Sequence, residues 1–191
     1  EEIFHHLYGL LHCPGYRAAY ADDLRRALPR VPIAGLDAEA FWALERAGRA
    51  LAELHLRYRS LPPPEGVRVV VEPVAEGLEP YARHRVERMR FLAKDRRDTI
   101  LYSGLIRIEN IPSAVYDYMV NGRSPVEWVM ERYRVSVDRR SGLRSDPNLW
   151  VQEHGEPAYI LDLLLSVMSL SLRTAAIVRG LERIPVERLE G

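Results

Sequence analysis

The sequence predicts an α+β fold: a helical N-terminal part, a small antiparallel sheet or hairpin packed on helices, and a long buried C-terminal helix. Three observations carry this expectation. Phe41, Leu44, Gly48, Leu51, His55 and Tyr58 recur at spacings of three and four, the period of one helix face. Beyond Pro62-Pro63-Pro64 the period drops towards two, as in half-exposed strands. From Ile160 to Leu172 apolar residues cover almost the whole circumference of a helix, the pattern of one buried on most sides.

Residues 2–12 and 16–28 read as two short helices, with Pro14-Gly15 as the break and Pro29 and Pro32 as the stop. The helix through Phe41 begins at Asp37, whose carboxylate suits an N-cap. Glu45 with Arg49, and Glu53 with Arg57, pair at i,i+4 on what reads as its outer face. Gly48 in mid-stripe predicts close packing against a neighbouring backbone. The three prolines then make a stiff link. One domain is expected over 1–191, with a helical subregion 1–60, a linker 61–66 and a mixed α/β subregion 67–191.

In that second part, Val67–Glu72 reads as a strand, and Arg85–Phe91 as a half-exposed strand with its arginines on one side. Thr99–Ile108 is a long strand or a hairpin turning at Ser103-Gly104, and the Ser-Gly pair between apolar runs favours the hairpin. Ala93–Asp98 makes a charged tip. Ser113 caps a short helix to Val120, which Asn121-Gly122 ends. Ser124-Pro125-Val126-Glu127 is a capping box with proline at the first helical position, so the next helix start is firmly placed, with Arg123 just before it. Two helices joined by a tight turn invite a helix-turn-helix reading, although Val126, Val129, Met130 and Tyr133 form a stripe that belongs in a core. After a loop through Arg139, Arg140 and Asp146-Pro147, Pro157 opens a final helix to about Arg179, with Gly180 as its stop. Asp162, Ser166, Ser169, Ser171 and Arg173 interrupt it short of the roughly 20 apolar residues a bilayer needs, so no membrane partner is expected.

At 191 residues and 47% hydrophobic, the chain has enough apolar material for one sizeable core or two small ones. With Cys13 as its one cysteine it forms no internal disulfide. It opens Glu-Glu-Ile-Phe and shows no signal-peptide pattern, from which a cytoplasmic location, as a piece of something larger, is expected. All 27 basic residues except Lys94 are arginine, which forks onto phosphates and guanine edges more readily than lysine. Formal net charge is zero, but unevenly composed. Residues 83–107 hold eight basic side chains against Glu87, Asp95 and Asp98, a local +5, and residues 121–144 hold six against Glu127, Glu131 and Asp138, a local +3.

Nothing in the sequence reads as catalytic. There is no G-x-S-x-G elbow, no phosphate-binding G-x-x-x-x-G-K-[ST] loop and no G-x-G-x-x-G fingerprint. His5, His6 and His12 are the only histidine cluster, and since adjacent helical residues point about 100° apart they read as packing or surface residues rather than metal ligands. No catalytic or metal residue and no cofactor is therefore assigned to this chain. The DNA-contact candidates are Arg88 and Arg90, the tip at Lys94, Arg96 and Arg97, Arg123 at the turn, and the loop of Arg139, Arg140 and Arg144. Trp128 and Trp150 read as core rather than base-stacking platforms. A helical protein-protein docking module without direct DNA contact is the alternative, suggested by zero net charge and long apolar stripes.

The succession YGLLHCPGYRAAYADDLRRALPRVP, AGRALAELHLRY, IRIENIPSAVYDYMVNGRSPVEWVMERYRV, SGLRSDPNLW and EPAYILDLLLSVMSLSLRT resembles, in order from Phe4 to about Val178, the C-terminal specificity domain of Type ISP restriction-modification enzymes. The resemblance implies sequence-specific recognition of double-stranded DNA. The parent polypeptide would join this target-recognition part to a nuclease, a helicase-type ATPase motor and an adenine-N6 methyltransferase. That parent would use S-adenosylmethionine for methylation and ATP with magnesium for its motor. The methyltransferase Asn-Pro-Pro-Tyr-type motif and the ATPase motifs do not occur in this chain. The methyltransferase and motor domains would be its partners, together with the DNA.

Overall fold

In a computed structural model, which describes residues 1–29, 31 and 37–184, the chain begins with four helices. They are α1 (Glu2–His12), α2 (Pro14–Ala19), α3 (Asp23–Arg26) and α4 (Ala38–Leu56). The single helix expected over 16–28 is two short ones. Pro14 starts α2 because Cys13 before it is extended (φ −66°, ψ 122°), the conformation proline imposes on its predecessor. Pro32, one of the two expected stops, lies outside the described residues. Asp37 caps α4 as expected, its carboxylate accepting from the Ala40 N–H at 2.7 Å.

Close packing of α1 on α4 depends on two glycines. A Cβ at Gly48 would overlap the His5 carbonyl, and one at Gly9 the Leu44 carbonyl. Beside this contact Leu10, Cys13, Tyr16, Tyr20, Leu44 and Leu181 form a buried cluster. Glu45 lies inside, not on the outer face: it is 3% exposed, ion-paired to Arg49, with His5 Nδ1 3.5 Å away. His6 is buried with its ring stacked on Phe41 at 4.3 Å. Tyr8 Oη lies 2.6 Å from His55 Nδ1, and His55 Nε2 lies 3.1 Å from Thr174 Oγ1. The His12 ring stands 5.6 Å from that of His55. These helices form one of two units, Glu1–Arg57 with the chain from Arg173 on; the other is Tyr58–Leu172.

The second unit holds a four-stranded antiparallel sheet of β1 (Arg68–Val71), β2 (Arg90–Ala93), β3 (Arg96–Leu101) and β4 (Ile106–Glu109), in the order β1-β4-β3-β2. A short helix, α5 (Pro80–His84), precedes β2. β3 and β4 form the hairpin favoured from Ser103-Gly104, with the Ser103 hydroxyl accepting from the N–H groups of Leu105 and Ile106 at 3.1 Å each. Register pairs Ile100 with Ile108 and Val69 with Ile108. The inner face of the sheet meets α6 (Pro125–Arg132) through Val126 and Met130. It also meets the long helix, residues 159–180, through Ile160, Leu164 and Met168.

Between these helices come a two-stranded hairpin, β5 (Ser136–Val137) with β6 (Arg144–Ser145), and α7 (Pro147–His154). The last helix is α8 (Tyr159–Gly180). Among the described residues it alone is long and apolar enough to cross a bilayer, and 67% of its most apolar stretch is buried in the protein. Its serines explain how polar residues fit there. Ser166 donates to the Leu61 carbonyl at 3.2 Å and Ser169 to that of Pro62 at 2.6 Å, so the proline link is held by α8 hydroxyls.

Two outcomes follow for the first unit. Gly48→Ala is expected to lower stability to denaturant by about 1–3 kcal/mol, although alanine is the better helix former by about 1 kcal/mol, because the added methyl meets backbone. Burial holds the pKa of His12 and of His55 below the ordinary histidine value, Arg17 and His12 respectively adding to the effect. A depressed histidine pKa means the unfolded chain binds protons first. Stability is therefore full above about pH 6.5 and falls as pH drops through that value towards the folded-state pKa values. Melting temperature should decline from pH 7.5 to 5.5, and the decline should flatten in the double variant His12→Gln, His55→Gln.

Candidate nucleic-acid interface

The basic segment 85–91 does not form the expected strand. Only Arg90 onward pairs with β3; residues 85–87 bond instead to the stretch around β5, β6 and α7. Val135 N–H donates to the Glu87 carbonyl at 2.9 Å. Asn148, buried at the start of α7, grips Val86 from both sides: its Oδ1 accepts from the Val86 N–H at 2.9 Å and its Nδ2 donates to the Val86 carbonyl at 2.8 Å. The side-chain amide thus plays the part of a neighbouring strand. Asp146, the N-cap of α7, holds Asn148 in turn, accepting from its backbone N–H at 3.0 Å and its Nδ2 at 2.7 Å. It also pairs with Arg85 at 3.0 Å. Burial pushes the Asp146 carboxyl up, but the Asn148 and Arg85 hydrogen bonds outweigh it and bring its pKa below the usual value.

Opposite Arg88 and Arg90 stands α6. Ser124 and Glu127 form the predicted capping box, the Glu127 carboxylate accepting from the Ser124 N–H at 3.0 Å. Ahead of the box there is no helix pair. The expected helix from Ser113 to Val120 is one 3-10 turn, Ser113–Tyr116, and Asn121 (φ 51°) and Gly122 (φ 79°) make a two-residue hairpin turn. Val120 and Arg123 exchange backbone hydrogen bonds of 2.8 and 3.3 Å across it. Two successive positive φ values are those of a type I′ turn, which Asn-Gly favours. The helix-turn-helix reading is corrected accordingly: a tight β-turn, with no first helix, leads into α6.

The structure brings some of the sequence-derived candidates together and separates others. Arg88, Arg90 and Arg123 line one cleft of about 540 Å³, with Met89, Phe91 and Met130 among its apolar lining. Arg134 lines it too, with Glu127 and Glu131. Arg134 was not among the candidates, yet a signal was present: it stands at the expected end of the helix that Ser124 opens, three residues after Glu131 and four after Met130. Lys94 sits elsewhere, on the two-residue turn between β2 and β3. Arg139 and Arg140 ride the tip between β5 and β6. There the Asp138 carboxylate accepts from the N–H groups of Arg140 at 3.0 Å and Ser141 at 2.7 Å, and Gly142 turns the chain at φ 72°.

Ion pairing sorts the nine candidates further. Arg96 pairs with Asp98 at 3.3 Å and Arg144 with Asp146 at 3.4 Å. Arg97 is pinned in place. Its guanidinium lies over the rings of Tyr116 (4.2 Å) and Phe91 (4.8 Å), its Nη2 is 2.7 Å from Glu127, and its carbonyl accepts the Tyr116 hydroxyl at 2.8 Å. Arg88, Arg90, Lys94, Arg123, Arg139 and Arg140 are exposed and, among the described residues, have no carboxylate partner. Trp128 is neither core nor bare platform. It is 40% exposed, its indole N–H donates to the Val120 carbonyl at 2.7 Å, and its ring lies 5.3 Å beneath the Arg123 guanidinium. Trp150 is 39% exposed and stacks on His154 at 3.9 Å.

Such an arrangement can hold anionic, planar-edged ligands: cations free of carboxylates, set on short turns over a firmly bonded frame. Comparisons with known proteins agree with this geometry. A family model described as the Type ISP C-terminal specificity domain matches residues 1–163. Among solved structures, the chain is similar to a nuclease-deletion mutant of the Type ISP restriction-modification enzyme LlaGI in complex with a DNA substrate mimic, at 37% identity and TM-score 0.84, covering 97% of this chain and 14% of that one. It is similar also to the ATP-dependent Type ISP restriction-modification enzyme LlaBIII bound to DNA, at 34% identity and TM-score 0.84, covering 97% and 12%. A third similar structure is the DrdV-DNA complex, at 30% identity and TM-score 0.73, covering 98% and 18%. No curated protein sequence matches.

Fold and sequence together define a specificity domain. The chain belongs to the Type ISP C-terminal specificity domain family, and it spans less than a fifth of the length of the similar chains.

Asn148→Ala would strip two buried backbone groups of Val86 of their partners, each worth about 1–3 kcal/mol when left unsatisfied. The variant should be less stable by about 2 kcal/mol or more in denaturant titration. Trypsin should also cut faster after Arg85 and Arg88.

Proposed function

We propose that this chain recognises double-stranded DNA by sequence, as the target-recognition part of a larger restriction-modification polypeptide. The observation that carries the reading is the set of six exposed cations without carboxylate partners on the cleft and turns of one unit. Family membership and the DNA in the similar structures support it. In this reading Lys94, Arg139 and Arg140, at hairpin tips, meet phosphates and set the register, while the cleft faces base edges. Arg97 holds the frame instead of touching DNA, and Arg96 and Arg144 contribute less because each shares its charge with an aspartate. The parent would carry the adenine-N6 methyltransferase with its S-adenosylmethionine, and a motor using ATP and magnesium, in the cytoplasm. Those domains and the DNA are the proposed partners. A separate reader suits such chemistry, since a flipped adenine enters a pocket elsewhere while this domain stays on the duplex.

Binding of the 191-residue chain to duplex DNA over a salt series tests the reading. The logarithm of affinity should fall linearly with that of salt, and Arg139→Ala with Arg140→Ala should reduce the slope by about two. No affinity at low salt, or a slope near zero, would overturn it.

A further inference from the structure

We infer that Arg123 is the specificity-determining residue of the cleft, reading one guanine through O6 and N7 in the major groove, and that Trp128 is its positioning residue. The inference rests on the DNA-recognition reading and adds which side chain meets a base, and which base.

A base-reading arginine must keep its charge unspent, reach solvent, and be held before DNA arrives. Arg123 meets all three conditions. Glu127, which lines the same cleft, is already engaged by Arg97 at 2.7 Å and by both the N–H and hydroxyl of Ser124, at 3.0 and 2.8 Å. Glu131, the other carboxylate of the cleft, pairs with Arg134 at 2.8 Å. The backbone of Arg123 is fixed by the closed Asn121-Gly122 turn. Its guanidinium lies over Trp128, whose indole N–H is tied to the carbonyl of Val120, the residue paired with Arg123 across that same turn. Turn, ring and guanidinium are therefore one closed unit.

The ring contact without a carboxylate is what makes this arrangement a reader and not another structural pin. A guanidinium held over a ring by a cation–π contact keeps its N–H donors unspent, and two parallel donors of its fork match the adjacent O6 and N7 acceptors of guanine. Arg97 shows the contrast: two rings and a carboxylate occupy it. The remaining free cations lack a platform of this kind. Lys94 carries no fork, and no ring contact holds Arg88, Arg90, Arg139 or Arg140 among the described residues. Lysine at position 123 would keep the charge and lose the fork.

Selection of bound duplexes from a randomised pool by the 191-residue chain, followed by competition with single-position variants of the selected site, tests the inference. The selected site should contain a G·C pair at which Arg123→Lys and Arg123→Ala each lose roughly ten- to hundredfold discrimination, while preferences at other positions persist. Trp128→Phe, which keeps a ring and drops the indole N–H, should weaken discrimination at that same pair alone. Thermal unfolding confirms that each variant is folded. Loss spread evenly over all positions would make Arg123 a phosphate contact and overturn the inference while leaving DNA recognition standing. An unchanged preference would overturn it as well. If the unaltered chain binds no DNA, the DNA-recognition reading falls and this inference with it.

Discussion

The grip of Asn148 on both backbone groups of Val86 is the interaction on which the arginine-bearing face depends. Residues 85–88 have no strand beside them, and Val86 is fully buried, so without that amide two polar groups would sit in the core unbonded. The clamp is itself clamped. Asp146 orients Asn148 and draws Arg85 onto the same carboxylate, so one acidic side chain caps α7, fixes the amide and neutralises an arginine that would otherwise compete for ligand. The path of residues 85–87, which leads into Arg88, follows from bonds to Val135, Asp146 and Asn148, far away in sequence, whereas Arg90 is placed by the pairing of β2 with β3.

Much of this was legible. Asp37 and Ser124 placed two helix starts because a cap is a local device: one side chain and one N–H within three residues. Ser103-Gly104 placed a hairpin for the same reason, and Gly48 foretold a close contact because a glycine in an apolar stripe has few other uses. What was missed is non-local. Alternation at 85–91 looked like a strand, but a strand also needs a neighbour, and the bonds go to Asn148 and Val135. The start of α7 is the exception, for Asp146-Pro147 carries the signal that Ser124-Pro125 does. It reads as a turn only if proline is taken as a breaker and not as a first helical residue.

Local charge located the basic stretches and misjudged their parts. A count over residues 83–107 cannot tell Arg97, held between two rings and a glutamate, from Arg88, which faces open solvent. Partner geometry decides, and several of the partners lie on other elements: Arg85 with Asp146, Arg97 with Glu127, Arg107 with Glu72. Zero net charge is thus compatible with a cationic face. Carboxylates such as Asp146, Glu127 and Glu131 are taken up in building the frame, and the arginines without such partners are those the frame presents.

Glu127 shows how tightly frame and face are joined. It closes the capping box of α6 and takes the charge of Arg97, and burial alone would push its carboxyl up; the Ser124 hydrogen bonds and the Arg97 charge bring its pKa below the usual value. A carboxylate so engaged has little capacity left for a second cation. Arg123, four residues earlier at the mouth of the same helix, is thereby left with an aromatic face in place of an anion. Arg97 and Arg123 use the same guanidinium-on-ring contact to opposite ends: beside a carboxylate it makes an internal pin, and away from one it holds a charged fork ready for a ligand.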